Sequence, residues 1–360
     1  MRNFLNKIAH TPFALSLAGL RSAVQHISFF ILTYGRHFGV NLGNSLPCFS
    51  CPYVLGCGGV CYFRRLQTDM LIPLADIVSG QRSDAIYAFL TMLVLLMIFG
   101  KSWCGWICPM GLAQEWVTKI RSFFGIREAT ISHNTMKRLG IIKYVILGYF
   151  VVLVPALFHL GYGHVDLHRA ICDICPAKTI MPFFSLDTRS WVITTINPVT
   201  FTVSSILILF TGISLVGIFF KDRFFCIFCP MAAMMHIFKP LLLLRLVKTP
   251  SACHGCGNCR RGCAMGLEET FKERTRTEVQ ADGCTGCFSC VGTCAGDTSL
   301  SIKFGRFTLF SSSRNYASGI HRLVTLNPFA LKKKTTGVLT PATFSPHTDS
   351  KPNNPTSGDA

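Results

Sequence analysis

Acidic side chains are scarce in this chain. Its 360 residues include 17 Asp and Glu against 35 Lys and Arg, and all charged residues together make up 14%. Soluble domains carry about 25% charged residues, so an ordinary water-soluble fold is disfavoured. The net charge of +18 would suggest nucleic acid if the cations formed one aromatic-interleaved stripe. They flank apolar runs instead, and nucleic-acid binding is set aside. There is also no C-x-x-C-H site for covalent haem, which leaves His26, His159, His164 and His168 as weak haem ligands. Arg2 and Lys7 precede the apolar stretch Phe13 to Leu20 in the manner of a signal peptide, but no small-x-small cleavage site follows. Stray cysteines are missing too, because all 18 fall in short groups. Spacings of two or three residues are those of metal ligands rather than of a secreted disulfide framework.

Half the chain is apolar, and a membrane span needs about 20 apolar residues. Tyr144 to Gly163 and Trp191 to Phe220 contain no Asp, Glu, Lys or Arg, and Ala85 to Gly100 is shorter but intensely apolar. A fourth span is read near Leu20 to Val40, although it includes Arg21, Gln25 and His26. Basic residues crowd the connection 101 to 143 and the segment after 221. The opposite loops, 41 to 83 and 164 to 190, hold only Arg64, Arg65, Arg82, Arg169, Lys178 and Arg189. The positive-inside rule then predicts both termini in the cytoplasm.

The expected fold is an α-helical polytopic membrane domain of four transmembrane helices, forming two pseudo-repeated span pairs, followed by a small α+β two-cluster ferredoxin-like module. Its expected parts are a membrane domain over 1–248, the module over 249–305, a short extension over 306–331 and a disordered tail over 332–360.

Cys253, Cys256, Cys259 and Cys263 are spaced C-x2-C-x2-C-x3-C, and Cys284, Cys287, Cys290 and Cys294 repeat the pattern. In two-cluster ferredoxins the fourth cysteine of each run reaches the other cluster. The predicted sets are therefore Cys253, Cys256, Cys259 with Cys294, and Cys284, Cys287, Cys290 with Cys263, for two 4Fe-4S clusters. A zinc ribbon is the competing reading. Ala264 and Ala295 stand where a proline usually follows the fourth cysteine.

The other cysteines repeat as well. Cys172 follows Cys48, and Cys175 follows Cys51, by 124 positions; Cys226 follows Cys104 by 122 and Cys229 follows Cys108 by 121. One duplicated unit accounts for them: span, outer pair, span, inner pair. Two copies in the same sense are related by an axis along the membrane normal. That axis would gather Cys104, Cys108, Cys226 and Cys229 at the inner face and Cys48, Cys51, Cys172 and Cys175 at the outer. Each set could hold a metal or cluster, or form disulfides. Cys57 and Cys61 have no counterpart and are read as extra outer ligands or a local disulfide. Residues 112 to 124 and 231 to 247 read as amphipathic segments along the membrane surface, serving as anchors or bordering a quinone pocket.

Trp103-Cys104-Gly105-Trp106-Ile107-Cys108-Pro109-Met110-Gly111, Phe225-Cys226 to Cys229-Pro230 and the two cysteine quartets resemble the NapH-like polyferredoxin family, which is related to NosR-type and CcoG-type proteins. The resemblance covers roughly residues 80 to 300. It implies a quinol dehydrogenase subunit of the bacterial inner membrane, passing electrons from quinol or a cytoplasmic donor to a partner reductase. The second inner motif is C-x-x-C-P where the family has C-x3-C-P, and the leader is too short for the flavin domain of NosR-type relatives. A redox or metal-handling assembly factor using the outer cysteines is the alternative.

Overall fold

Helices form over each apolar stretch that the sequence marks. The computed structural model describes residues 17–40, 47–48, 51, 60–71, 83–129, 131–161, 172, 175–184, 186 and 198–314. Its long helices are Leu17–Tyr34, Ser83–Phe99, His133–Gly148 continued through Tyr149–Leu153 and Val154–His159, and Pro198–Phe220. The Tyr149–Leu153 turn is π-helical and runs into Pro155. Proline has no N–H to give and crowds the carbonyl four residues back, so a wider turn relieves the ladder there.

These helices are inverted relative to a soluble bundle. On Pro198–Phe220 the side chains turned inward include Thr211 and Ser214, while Ile208, Leu209, Ile213 and Val216 are exposed. Leu17–Tyr34 likewise buries Gln25 and Thr33 and exposes Ile27 and Phe30. In water such a surface would be a large apolar patch; against lipid it costs nothing, and small polar residues suit helix contacts. Among the described residues one helix, Asn134–His159, is long and apolar enough to cross a bilayer by length and composition, and Asp84–Phe99 and Ser204–Phe220 are shorter apolar helices. Length alone, among the described residues, therefore leaves the four-span expectation unconfirmed.

The two inner motifs fold alike. Cys108 and Cys229 are extended, with φ −60°, ψ 118° and φ −65°, ψ 117°, and each is followed by a proline at the first turn of a helix, Pro109–Phe123 and Pro230–Ile237. Proline's fixed φ suits that position and its missing N–H is not needed there. On Pro109–Phe123, Leu112 is buried but Ile120 and Phe123 are exposed, so only its far end lies out as an apolar edge.

Residues 231–247 do not form one surface segment. Pro240 ends the helical path, and Leu244–Lys248 becomes an edge strand of a three-stranded antiparallel sheet, paired to Leu300–Phe304, which pairs in turn to Phe307–Ser311. The sheet therefore draws in residues on both sides of 249–305. It covers a core of Leu246, Val279, Phe288, Val291, Leu300 and Ile302, joined by Leu17 of the first helix. The predicted tail, 332–360, lies outside the described residues, as does Cys57.

Candidate cluster-binding site

Cys253, Cys256, Cys259 and Cys294 line one cavity together with Gly257, Thr270, Phe271, Ser299 and Lys248. Gly255 and Gly257 turn the chain between the thiols at φ +68° and +73°, a conformation that side chains resist. Lys248 is 2% exposed, and its Nζ donates to the carbonyls of Thr270 at 2.8 Å, Phe271 at 3.1 Å and Glu273 at 2.6 Å. A fixed buried cation beside four soft thiols fits an anionic cluster, since charge and hydrogen bonds near the sulfurs set its stability and potential.

The second set, Cys284, Cys287, Cys290 and Cys263, lies within electrostatic reach of one another. Burial pushes the Cys284 thiol up to about 12, Cys287 adding to the rise and Lys101 opposing it. Burial acts the same way on Cys287, yet the cations of Arg21 and Arg223 and the Ser289 hydrogen bonds outweigh it and bring this thiol below its ordinary value. The amide of Gly286 donates to Cys284 Sγ at 3.4 Å. Among the described residues no three metal-donor side chains gather tightly enough for a single ion. Each set offers the four thiol donors that a 4Fe-4S cluster takes, one on each iron, and the first four line a single cavity.

The second site is built against the membrane half. A Cβ on Gly105 would stand 2.7 Å from both Cα and N of Cys287, and one on Gly286, at φ +63°, would stand 2.6 Å from the Ser102 amide nitrogen. The two glycines let two backbones touch. Charges surround this seam. Lys101, 2% exposed, donates to the carbonyls of Ala281 at 3.1 Å and Asp282 at 2.6 Å. The Asp282 carboxylate accepts from Lys143 and from the Tyr144 hydroxyl, each at 2.8 Å, and Tyr144 also meets His236 Nδ1 at 2.7 Å. Arg223 pairs with Glu115 and donates to the Cys104 carbonyl at 3.2 Å; Arg21 pairs with the same Glu115 and donates to Ser289 at 2.8 Å. Asp282→Asn keeps an acceptor for Tyr144 but leaves the buried Lys143 without its counter-charge. It is expected to cost about 1–3 kcal/mol, seen as a lower thermal midpoint for loss of cluster absorbance, with Asp282→Glu closer to wild type.

The structure brings Cys104, Cys108, Cys226 and Cys229 within charge reach of one another. Cys104 Sγ touches Met235 Sδ at 3.4 Å, and Gln114 donates to Cys226 Sγ at 3.6 Å. The outer group departs from the expectation of a separate face. Cys61 and Cys175 lie beside Cys108, Cys51 packs in the same apolar cluster as Cys108 and Cys175, and Cys172 is buried in the cluster that includes Cys104. The helix Tyr62–Met70 explains the difference: Tyr62, Phe63 and Leu66 are buried, so the loop folds back into the helices instead of standing off them. Cys48 is placed by its backbone, in parallel register with Cys61.

Lys101, Arg223, Glu115 and Asp282 escaped the sequence reading. A signal was present, for a cation stands three residues before each inner pair, Lys101 before Cys104 and Arg223 before Cys226.

The 4Fe-4S binding domain family matches residues 85–127 and again 203–250, and the 4Fe-4S dicluster domain family matches 245–295. The chain is 28% identical to an uncharacterized protein of Methanocaldococcus jannaschii over 63% of its length and 82% of that protein. It is 22% identical to the putative electron transport protein YccM of Escherichia coli, over 63% of this chain and 59% of YccM. It is also 24% identical to the regulatory protein NosR of Pseudomonas aeruginosa, over 54% of this chain and 24% of NosR. These likenesses support the resemblance to NapH- and NosR-like iron–sulfur proteins. Two matches to one domain family are the duplicated unit seen in the cysteine spacing, and the dicluster match falls on the two quartets. Together the matches support iron–sulfur clusters and iron–sulfur electron transport. The chain spans 59% of YccM and 24% of NosR, so it is a part of what those proteins contain. No solved structure matches the chain.

Proposed function

We propose that the protein is a membrane-embedded electron carrier, taking electrons from quinol or a cytoplasmic donor and handing them to a partner reductase. Cys253, Cys256, Cys259 and Cys294 would hold one 4Fe-4S cluster, and Cys284, Cys287, Cys290 and Cys263 the other. Such clusters supply reversible one-electron chemistry. The observation that carries the reading is the backbone contact between Gly105, inside the first inner motif, and Cys287. It seats the loop that carries Cys287 directly against the backbone of the first inner motif.

The chain's own residues then set conditions at that seam. Arg21 and Arg223 hold positive charge toward Cys287, and Lys101 toward Cys284. Positive charge there would favour the reduced state of a cluster held by Cys284, Cys287, Cys290 and Cys263. The inverted helices support a bilayer location; four spans with both termini and the module in the cytoplasm, in a bacterial inner membrane, complete the reading on the distribution of basic residues.

Full-length protein purified in detergent without oxygen is expected to carry at least about eight iron and eight sulfide per chain. Its EPR signal should grow when reduced quinol is added. Stoichiometric zinc without sulfide would end the reading, and reduction by dithionite but not by quinol would point to a cytoplasmic donor.

A further inference from the structure

Cys51, Cys61, Cys108 and Cys175 come from three separate chain segments and meet in the apolar interior. Cys61, Cys108 and Cys175 are mutual neighbours: each of Cys108 and Cys175 lies within charge reach of Cys61, and Cys175 of Cys108. Cys51, Cys108 and Cys175 pack on one cluster built around Phe29, Met110, Leu112, Met181, Ile218 and Phe225. Cys51 Sγ reaches the carbonyl of Ala177 at 3.6 Å, two residues beyond Cys175. The parallel register of Cys48 with Cys61 holds the two ends of the first loop together, so that Cys51 and Cys61 approach this place from one side.

We propose that Cys51, Cys61, Cys108 and Cys175 form a third thiolate site that holds an iron–sulfur cluster of the 4Fe-4S type, set deeper in the membrane half than the two in the module. Soft thiolate donors from several segments suit a cluster whose ligands bind separate irons. Cys108 belongs at once to this group and to the inner group with Cys104, Cys226 and Cys229. The site thus continues the path that begins at Cys287 and passes Gly105, and in this respect it rests on the electron-carrier reading.

The test is the iron and sulfide content of full-length protein purified without oxygen in detergent, with EPR after dithionite reduction. Wild type is expected to hold about twelve iron rather than about eight, in three separable signals. Cys61→Ser and Cys175→Ser should each lower the content by about four, and the double variant by no more than either alone, because a broken site cannot be broken twice. Both should keep the module's signals. Cys290→Ser should remove a different signal, and this separates failure of the third site from failure of the carrier reading, in which wild type would hold no cluster at all. A wild-type content of about eight, unchanged in Cys61→Ser and Cys175→Ser, overturns the proposal. So does a native mass two hydrogens short with Cys61 and Cys175 joined. If either serine variant fails to fold, the wild-type content and signal count decide alone.

Discussion

Gly105→Val is expected to unseat the cluster module. The new Cβ would lie 2.7 Å from two backbone atoms of Cys287 and 2.8 Å from the Thr285 carbonyl, and none of these is the end of a flexible side chain. Relief requires moving the loop that presents Cys284, Cys287 and Cys290. Overpacking commonly costs about 1–3 kcal/mol, and against backbone the upper end or more is expected. The measurable result is loss of roughly half the module's iron and rapid protease cleavage in the strand Leu244–Lys248 that leads into it. Gly140→Ala and Gly212→Ala are the controls, since nothing lies within 4 Å of a Cβ at either position. Those variants should keep wild-type iron, and Gly105→Val with full iron and wild-type protease resistance would show that the contact does not hold the module in place.

Glu115→Gln should be nearly as damaging, for electrostatic reasons. Glu115 answers two arginines, and Arg223 is 1% exposed. Removing one partner of a buried pair leaves a charge without compensation, at about 3–5 kcal/mol. For a chain of this size that is a fall in unfolding midpoint of about 4–7 °C. The pH dependence has a definite sign. Burial raises the Glu115 carboxyl, but Arg223 and then Arg21 outweigh it and hold it below its ordinary value of 4.5. The stabilisation is therefore fully present above pH 4.5 and is lost as pH falls through the lower, folded value. Wild type should lose stability on acidification below that point, while Glu115→Gln, already lacking the charge, should change less. Parallel acid profiles for the two proteins would remove Glu115 from this role.

What could be read from the residues alone depended on how local the cause was. The eight cysteines of the module stand at spacings set by wrapping a short loop around a cluster, and Cys104 to Pro109 and Cys226 to Pro230 carry their turn in the same few residues. Those features lie in the sequence as patterns. Glu115 answering Arg21 and Arg223, or Lys143 meeting Asp282, joins positions about a hundred residues apart and leaves no periodic trace. Tyr62 and Phe63 lie between two apolar stretches, which in sequence marks an outer loop; their burial draws the helix Tyr62–Met70 inward, and aromatic residues in a loop can as readily lie at a membrane surface. Helix lengths were similarly ambiguous, since tilt and partner helices decide whether seventeen residues such as Ser83–Phe99 suffice.

The identical turns after Cys108 and Cys229 raise a question of orientation. The module is itself a tandem of two like halves, and it sits on a floor of two like halves, so on symmetry alone it could seat either way round. The floor is keyed. After Cys104 comes Gly105, which admits the backbone at Cys287; after Cys226 comes Ile227, a buried side chain packed with Met265 and Leu267 just beyond Cys263. A notch in one copy and a peg in the other permit a single seating. That seating turns the Cys284 loop toward the helices and leaves Cys256 exposed, so the module has an inward pole and an outward pole.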